Sequence, residues 1–141
     1  MGAIPQVRKT GPKSYPAAEA ILGGQLVEGR TTNGGSVGVA AAASVKVLGV
    51  ALNDAVATLV TEPVNGVLDT APLGTRVNVA KSVEAPVKYA AAAAFGDKLI
   101  AASNGRVTPA GATPDARTIV GECTEVGGVS AADTVAKAWI Y

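Results

Sequence analysis

The stretch Tyr89-Ala-Ala-Ala-Ala-Ala-Phe-Gly-Asp-Lys-Leu-Ile-Ala-Ala-Ser-Asn-Gly-Arg-Val-Thr-Pro109 decides how the chain is read. An alanine run, a glycine, the apolar pair Leu99-Ile100, the dipeptide Asn104-Gly105 and a fresh start at Arg106-Val107 predict a helical turn, a strand, a tight hairpin and a second strand. Alanine is the best helix former, but an isolated helix needs roughly 12 to 15 residues to be marginal in water, so residues 90–94 are expected to form one packed turn at most. The same order occurs earlier. Tyr15-Pro-Ala-Ala-Glu-Ala-Ile-Leu-Gly-Gly-Gln-Leu-Val27 runs tyrosine, alanines, bulky apolar residue, glycine, two residues, leucine, β-branched residue. Two related halves, about 15–88 and 89–141, follow from that repetition.

Working outward, Ser44-Val-Lys-Val-Leu-Gly-Val-Ala-Leu52 begins as an alternating strand and becomes continuously apolar, as a strand buried on both faces does. Arg117-Thr-Ile-Val-Gly-Glu-Cys-Thr124 shares its apolar-apolar-glycine centre, which makes Gly49 and Gly121 counterparts. Gln25–Glu28, Val56–Thr61, Val67–Leu68, Arg76–Val83 and Thr134–Tyr141 read as further strands, and Ala17–Leu22 as one helical turn ended by Gly23-Gly24. The glycine-rich segment Gly29–Gly38 is a hairpin or loop; it lacks the Gly-Lys-Ser/Thr ending of a phosphate cradle. Short strands with frequent turns and no long amphipathic helix predict an all-β domain with one or two short helical turns. Its form is a small β-barrel or β-sandwich, β-tulip-like, occupying 17–141.

Residues 1–16 form an extended N-terminal arm, because Pro5, Pro12 and Pro16 remove N–H donors and fix φ. Three of the chain's twelve basic residues and none of its eleven acidic ones lie there. The arm is therefore a candidate for docking on a partner surface, with Ile4 and Val7 as apolar anchors and Arg8, Lys9 and Lys13 as charge contacts.

Twelve basic residues against eleven acidic ones leave too weak a field to attract nucleic acid or an anionic membrane. The arm's charges and prolines do not make a secretory signal, and the longest uncharged run, Thr31–Val45, is too short and polar to span a bilayer, so a soluble protein is expected. Cys123 is the only cysteine, which leaves no intramolecular disulfide and no multi-cysteine metal site. With no histidine, Ser-His-Asp and Cys-His nucleophile systems and most zinc sites are excluded; no catalytic residue, cofactor or metal is expected, and Cys123 reads as a buried structural thiol. Glu122 and Glu125 point to opposite faces of a strand, which spoils a paired-carboxylate site. Asp54, Asp97, Asp115 and Asp133 lie beside turn signals, where local capping accounts for them.

The succession Gly-x-x-Leu-Val, glycine-rich turn, Val-x-Val-Leu-Gly-Val-Ala-Leu-x-Asp-Ala, Val-x-Val-Ala, Ala-Phe-Gly-Asp-Lys-Leu-Ile-x-x-x-x-Gly-x-Val, Ile-Val-Gly-Glu-Cys, running from about Gly23 to Tyr141, resembles the capsid decoration, or cement, proteins of tailed bacteriophages. That resemblance implies a non-enzymatic virion protein made in the host cytoplasm and placed on the outer capsid surface. There it would bind the major capsid protein, as a homotrimer at three-fold and quasi-three-fold positions, with the arm engaging the shell. The alternative from another class is a small β module that binds carbohydrate, against which the scarcity of aromatic residues, 4% of the chain, argues.

Overall fold

The computed structural model describes residues 11–31, 35–56 and 75–141. Among them are ten short strands: β1 (Lys13–Pro16), β2 (Leu26–Gly29), β3 (Val37–Val39), β4 (Val47–Ala51), β5 (Arg76–Ala80), β6 (Val83–Lys88), β7 (Lys98–Ala101), β8 (Val107–Pro109), β9 (Ile119–Cys123) and β10 (Val135–Ile140). They form two antiparallel five-stranded sheets, ordered β1-β5-β4-β2-β3 and β6-β10-β9-β7-β8. The second order is the first with every strand moved on by five. Each sheet also curls: Ala17, just after β1, forms a parallel bridge to Val37 on β3, and Tyr89, just after β6, forms one to Val107 on β8. One bridge does not close a ladder. The described residues form an all-β, sandwich-like domain without a closed barrel.

The repeat is tighter than the sequence match, and its register differs by one residue. Matching Gly23 to Gly96 would equate Leu26 with Leu99. In the structure Gly24 and Gly96 share φ 86, and Val27 and Leu99 each lie opposite a glycine, Gly49 and Gly121 respectively. Both sheets are interrupted by a bulge just after that pair. Side chains alternate faces along a strand, so a slip of one residue would exchange inside and outside for a whole element. The tyrosines consequently do not correspond: Ala17, not Tyr15, occupies the bridging position of Tyr89.

The first sheet is covered on both faces. Ala17, Ile21, Val27, Val37, Ala51, Ala55, Val77 and Val79 make one apolar cluster, drawn from the first half alone. On the opposite face Leu26, Val50 and Ala80, with Ala40, join a second cluster together with Tyr89, Leu99, Val107, Cys123, Ala138 and other residues of the second half. Burial of each larger aliphatic side chain contributes about 1.5 to 3 kcal/mol, so this shared cluster holds the halves together.

Three expectations are corrected. Residues 17–22 and 90–94 form no helical turn, because their backbone groups are used across the fold. Ile21 and Ala55 exchange hydrogen bonds of 2.9 and 2.8 Å, and Ala93 and Val129 exchange bonds of 2.9 and 2.7 Å. Alanine's helix propensity is a few tenths of a kcal/mol per residue and yields to such pairing; the small side chains instead let the segment cross the curled sheet. Among the described residues the one short helical turn lies at Ala116–Thr118. Arg76–Val83 is not one strand: Ser82 at φ 54 breaks it, and β5 and β6 belong to different sheets. The halves therefore part between Ala80 and Val83, not between Lys88 and Tyr89. Finally, the last four residues assigned to the arm, Lys13–Pro16, are the edge strand β1, which pairs with β5 from Lys13↔Val79 to Pro16↔Arg76. The strand-turn-strand expected over 56–68 lies outside the described residues apart from Val56.

The predicted hairpin is present. Ala101 pairs with Val107, and Asn104 (φ 60) and Gly105 (φ 65) both take the positive φ of a type I′ turn.

Candidate functional site

Where the second half meets the first, the Asn104-Gly105 turn seats on β2 and β3. The Gly105 N–H donates to the Ala40 carbonyl at 3.2 Å, the Gln25 side-chain amide donates to the Asn104 carbonyl at 3.0 Å, and the Ala43 N–H donates to the Ala101 carbonyl at 2.8 Å. A Cβ at Gly105 would lie 2.8 Å from the Leu26 carbonyl oxygen, so the close approach requires glycine there. Beside this junction runs an open groove of about 620 Å³. The half-exposed Leu22, Leu52 and Val135 line it, and Asp133 closes one end between Arg106 (3.0 Å) and Lys88 (3.5 Å). The hydrogen bond from Arg106, reinforced by Lys88, holds the Asp133 carboxyl below its ordinary range.

A second polar cluster pins the other end of the first sheet. Arg30 bridges Glu19 at 2.6 Å and Glu28, and donates to the Val39 carbonyl at 2.9 Å. Glu19 in turn accepts from the Val39 N–H at 2.8 Å. Glu28 is buried; burial raises its carboxyl, but hydrogen bonds from Ser44, Ala41 and Arg30 outweigh that and hold it below the usual carboxylate range. Arg30→Ala leaves that carboxylate without its cation. We expect a loss of about 1 to 3 kcal/mol, read as a lower denaturation midpoint, whereas Lys46→Ala at an exposed site should change little.

The outward face of the second sheet carries Trp139, with Tyr141 just beyond the same strand. Glu84, Trp139, Glu122 and Lys98 lie in one cross-strand row. Lys98 bridges Glu122 at 2.7 Å, and its ammonium sits 5.3 Å from the centre of the Tyr141 ring. The hydrogen bonds to Glu122 and Tyr141 push the Lys98 pKa up to about 12. Trp139 and Tyr141 are 41% and 45% exposed, and Phe95 is 66% exposed.

Of the residues singled out in the arm, Ile4, Val7, Arg8 and Lys9 lie outside the described residues. Lys13 opens β1, exposed, with its ammonium 5.1 Å from the centre of the Tyr15 ring. Cys123 is buried on β9. Asp97 and Asp115 accept from the nearby backbone N–H groups of Ala94 (2.8 Å) and Arg117 (3.0 Å) and cap their own turns, whereas Asp54 is not a local cap: it accepts from the Gly23 N–H (2.7 Å), 31 residues away. Asp133 differs: it is ion-paired in the groove. Among the described residues no group of His, Cys, Asp or Glu could hold a metal ion, and no helix is long and apolar enough to cross a membrane. The exposed face around Trp139 was not singled out from sequence. Its signal was the alternation Val135-Ala-Lys-Ala-Trp-Ile140, which puts Trp139 on the same face as Val135 and Lys137, away from Ala136, Ala138 and Ile140.

No protein-family profile and no curated protein sequence matches the chain. Its fold is similar to that of a solved phage protein, the N base of the head fiber gp8.5 of bacteriophage phi29. The TM-score is 0.62 at 17% identity, over 94% of this chain and 95% of that one. At that identity the likeness establishes the fold.

Proposed function

We propose that this chain is a non-enzymatic structural protein of a phage virion, bound to the outer surface of the head as a decoration or cement protein. The observation that carries the reading is the fold shared end to end with the base of a head fiber, over 94% of this chain. The sequence resemblance to capsid decoration proteins, drawn from different features, supports it. The partner is the major capsid protein, and the protein itself acts as a homotrimer at three-fold and quasi-three-fold positions. A protein of this kind cross-links shell subunits through many repeated weak contacts, whose avidity adds without chemistry at any one of them. Small side chains and short sheets suit close backbone approach.

The test is binding to purified heads that lack the protein. Co-sedimentation at saturable occupancy supports the reading; no binding to those heads overturns it. The arm is tested by truncation, and the structure decides where to cut. Removing residues 1–16 would delete β1 and leave the neighbouring strand β5, with the buried Val77 and Val79, as an unpaired edge. Removing residues 1–10 spares that strand. We expect the shorter truncation to keep the melting temperature of the full chain and to lower head occupancy at least several-fold; unchanged occupancy excludes the arm as an anchor.

A further inference from the structure

The two halves meet head to tail, and among the described residues nothing covers the matching surfaces at the two ends. The junction brings the Asn104-Gly105 end of the second half, with Ala101 and Pro86, onto the first half. If the halves were related by a two-fold axis, the equivalent end of the first half would sit on the second in the same way. It does not. A Cβ at Gly105 would press on Leu26 and Gln25, whereas one at the equivalent Gly35 would meet nothing within 4 Å; a Cβ at Gly24 would lie 3.1 Å from the Pro86 carbonyl oxygen, whereas one at the equivalent Gly96 would meet nothing within 4 Å. The contact is heterologous, and such contacts repeat from unit to unit until they close a ring or run on as a fibre.

The strand register shows which surface awaits the next unit. In the first half the cross-strand row Leu26–Val50–Ala80 is buried in the cluster shared with the second half. In the second half the equivalent row is Lys98–Glu122–Trp139, extended by Glu84; Lys98, Trp139 and Glu84 are exposed and Glu122 is half-buried. A half-exposed tryptophan beside a tyrosine and an ion pair is the composition of an interface that is also stable uncovered, unlike the wholly apolar row that never parts from its partner. On the opposite end, Gly29 is the counterpart of Ala101, and the exposed Lys13 sits one residue from Ser14, the counterpart of Pro86.

We propose that the Lys98–Glu122–Trp139 face binds the first half of a second copy of this chain, repeating the internal junction between molecules. Lys13 of the incoming copy then lies near Glu84 and Glu122, and Gly29 supplies the close approach that Ala101 supplies within the chain. The inference rests on the internal repeat and holds whether or not the protein is a capsid component.

The experiment is sedimentation of the full chain over a concentration series, without heads. The wild type should form a closed oligomer. Trp139→Asp, at one end, and Gly29→Lys, at the other, should each raise the dissociation constant about thirtyfold or more, as loss of an interface hot spot does. Gly29 has room for the change, since its Cβ would meet only Leu48 at 3.9 Å. An equimolar mixture of the two variants should form heterodimers, because each retains the surface the other lacks. If Trp139→Asp fails to fold, the exchanged pair Lys98→Glu with Glu122→Lys keeps the internal ion pair while altering the face, and takes its place. A wild type that stays monomeric, a mixture that stays monomeric, or an oligomer indifferent to both variants overturns the proposal. A monomeric wild type whose Trp139→Asp variant loses head binding would assign the face to the shell instead.

Discussion

Gly121→Ala is expected to destabilise the protein by more than about 3 kcal/mol, with little folded protein recovered. The Cβ would collide with the carbonyl oxygen of Trp139, part of the neighbouring strand's backbone, which no rotamer change can move aside. Shifting β10 away is costly, since that strand pairs with β9 on one side and β6 on the other. The counterpart, Gly49→Ala, meets the Ala80 carbonyl in the same way, and Gly49 also sits at φ 150, where a side chain adds strain of about 1 to 3 kcal/mol. Gly111→Ala is the control. Nothing lies within 4 Å of the position, and the change should stay within about 0.5 kcal/mol. Denaturant midpoints decide the matter: a Gly121→Ala variant within about 1 kcal/mol of the wild type would contradict the role assigned to the paired glycines.

Tyr89→Ala should cost about 3 to 5 kcal/mol, as truncating a fully buried aromatic does. The ring is wholly buried in the cluster shared by the halves, and its hydroxyl donates to the Lys137 carbonyl at 2.9 Å. Tyr89→Phe keeps the packing and should lose about 1 kcal/mol. The two variants also differ in pH dependence. Burial, with the Cys123 thiol beside it, raises the Tyr89 hydroxyl well above its ordinary value of about 10. A folded-state pKa above the unfolded one means that the unfolded chain gives up this proton first. The stabilisation is therefore complete below about pH 10 and is lost as pH rises beyond it. Stability measured between about pH 8 and pH 11 should fall more steeply in the wild type than in Tyr89→Phe; identical slopes would show that Tyr89 does not govern alkaline unfolding.

Much of the fold is legible in particular residues. Asn104-Gly105 announced its turn because a type I′ hairpin needs two residues at positive φ, and few other dipeptides supply them. Gly49 and Gly121 matched because each must admit a neighbouring carbonyl, a requirement that leaves the same letter in both halves. The alanine runs misled, since propensity is local and weak while the bonds that Ile21 and Ala93 make reach 34 and 36 residues along the chain, to Ala55 and Val129. The break between the halves was hidden as well. Val79-Ala-Lys-Ser-Val83 carries no glycine or proline, and Ser82 adopts positive φ because the two sheets on either side demand it.

What the sequence determined by itself is the class of fold: small apolar residues alternating at strand period and punctuated by glycine specify a duplicated β domain. Only the tertiary structure decided the register of the duplication, the place where the halves part, and the head-to-tail junction that buries one row of residues and leaves its counterpart exposed. The reason is physical. Alternation and turn chemistry act between neighbours along the chain, whereas which of two equivalent faces is covered depends on how distant segments dock, and Leu26 and Lys98 occupy the same place in their sheets with opposite surroundings.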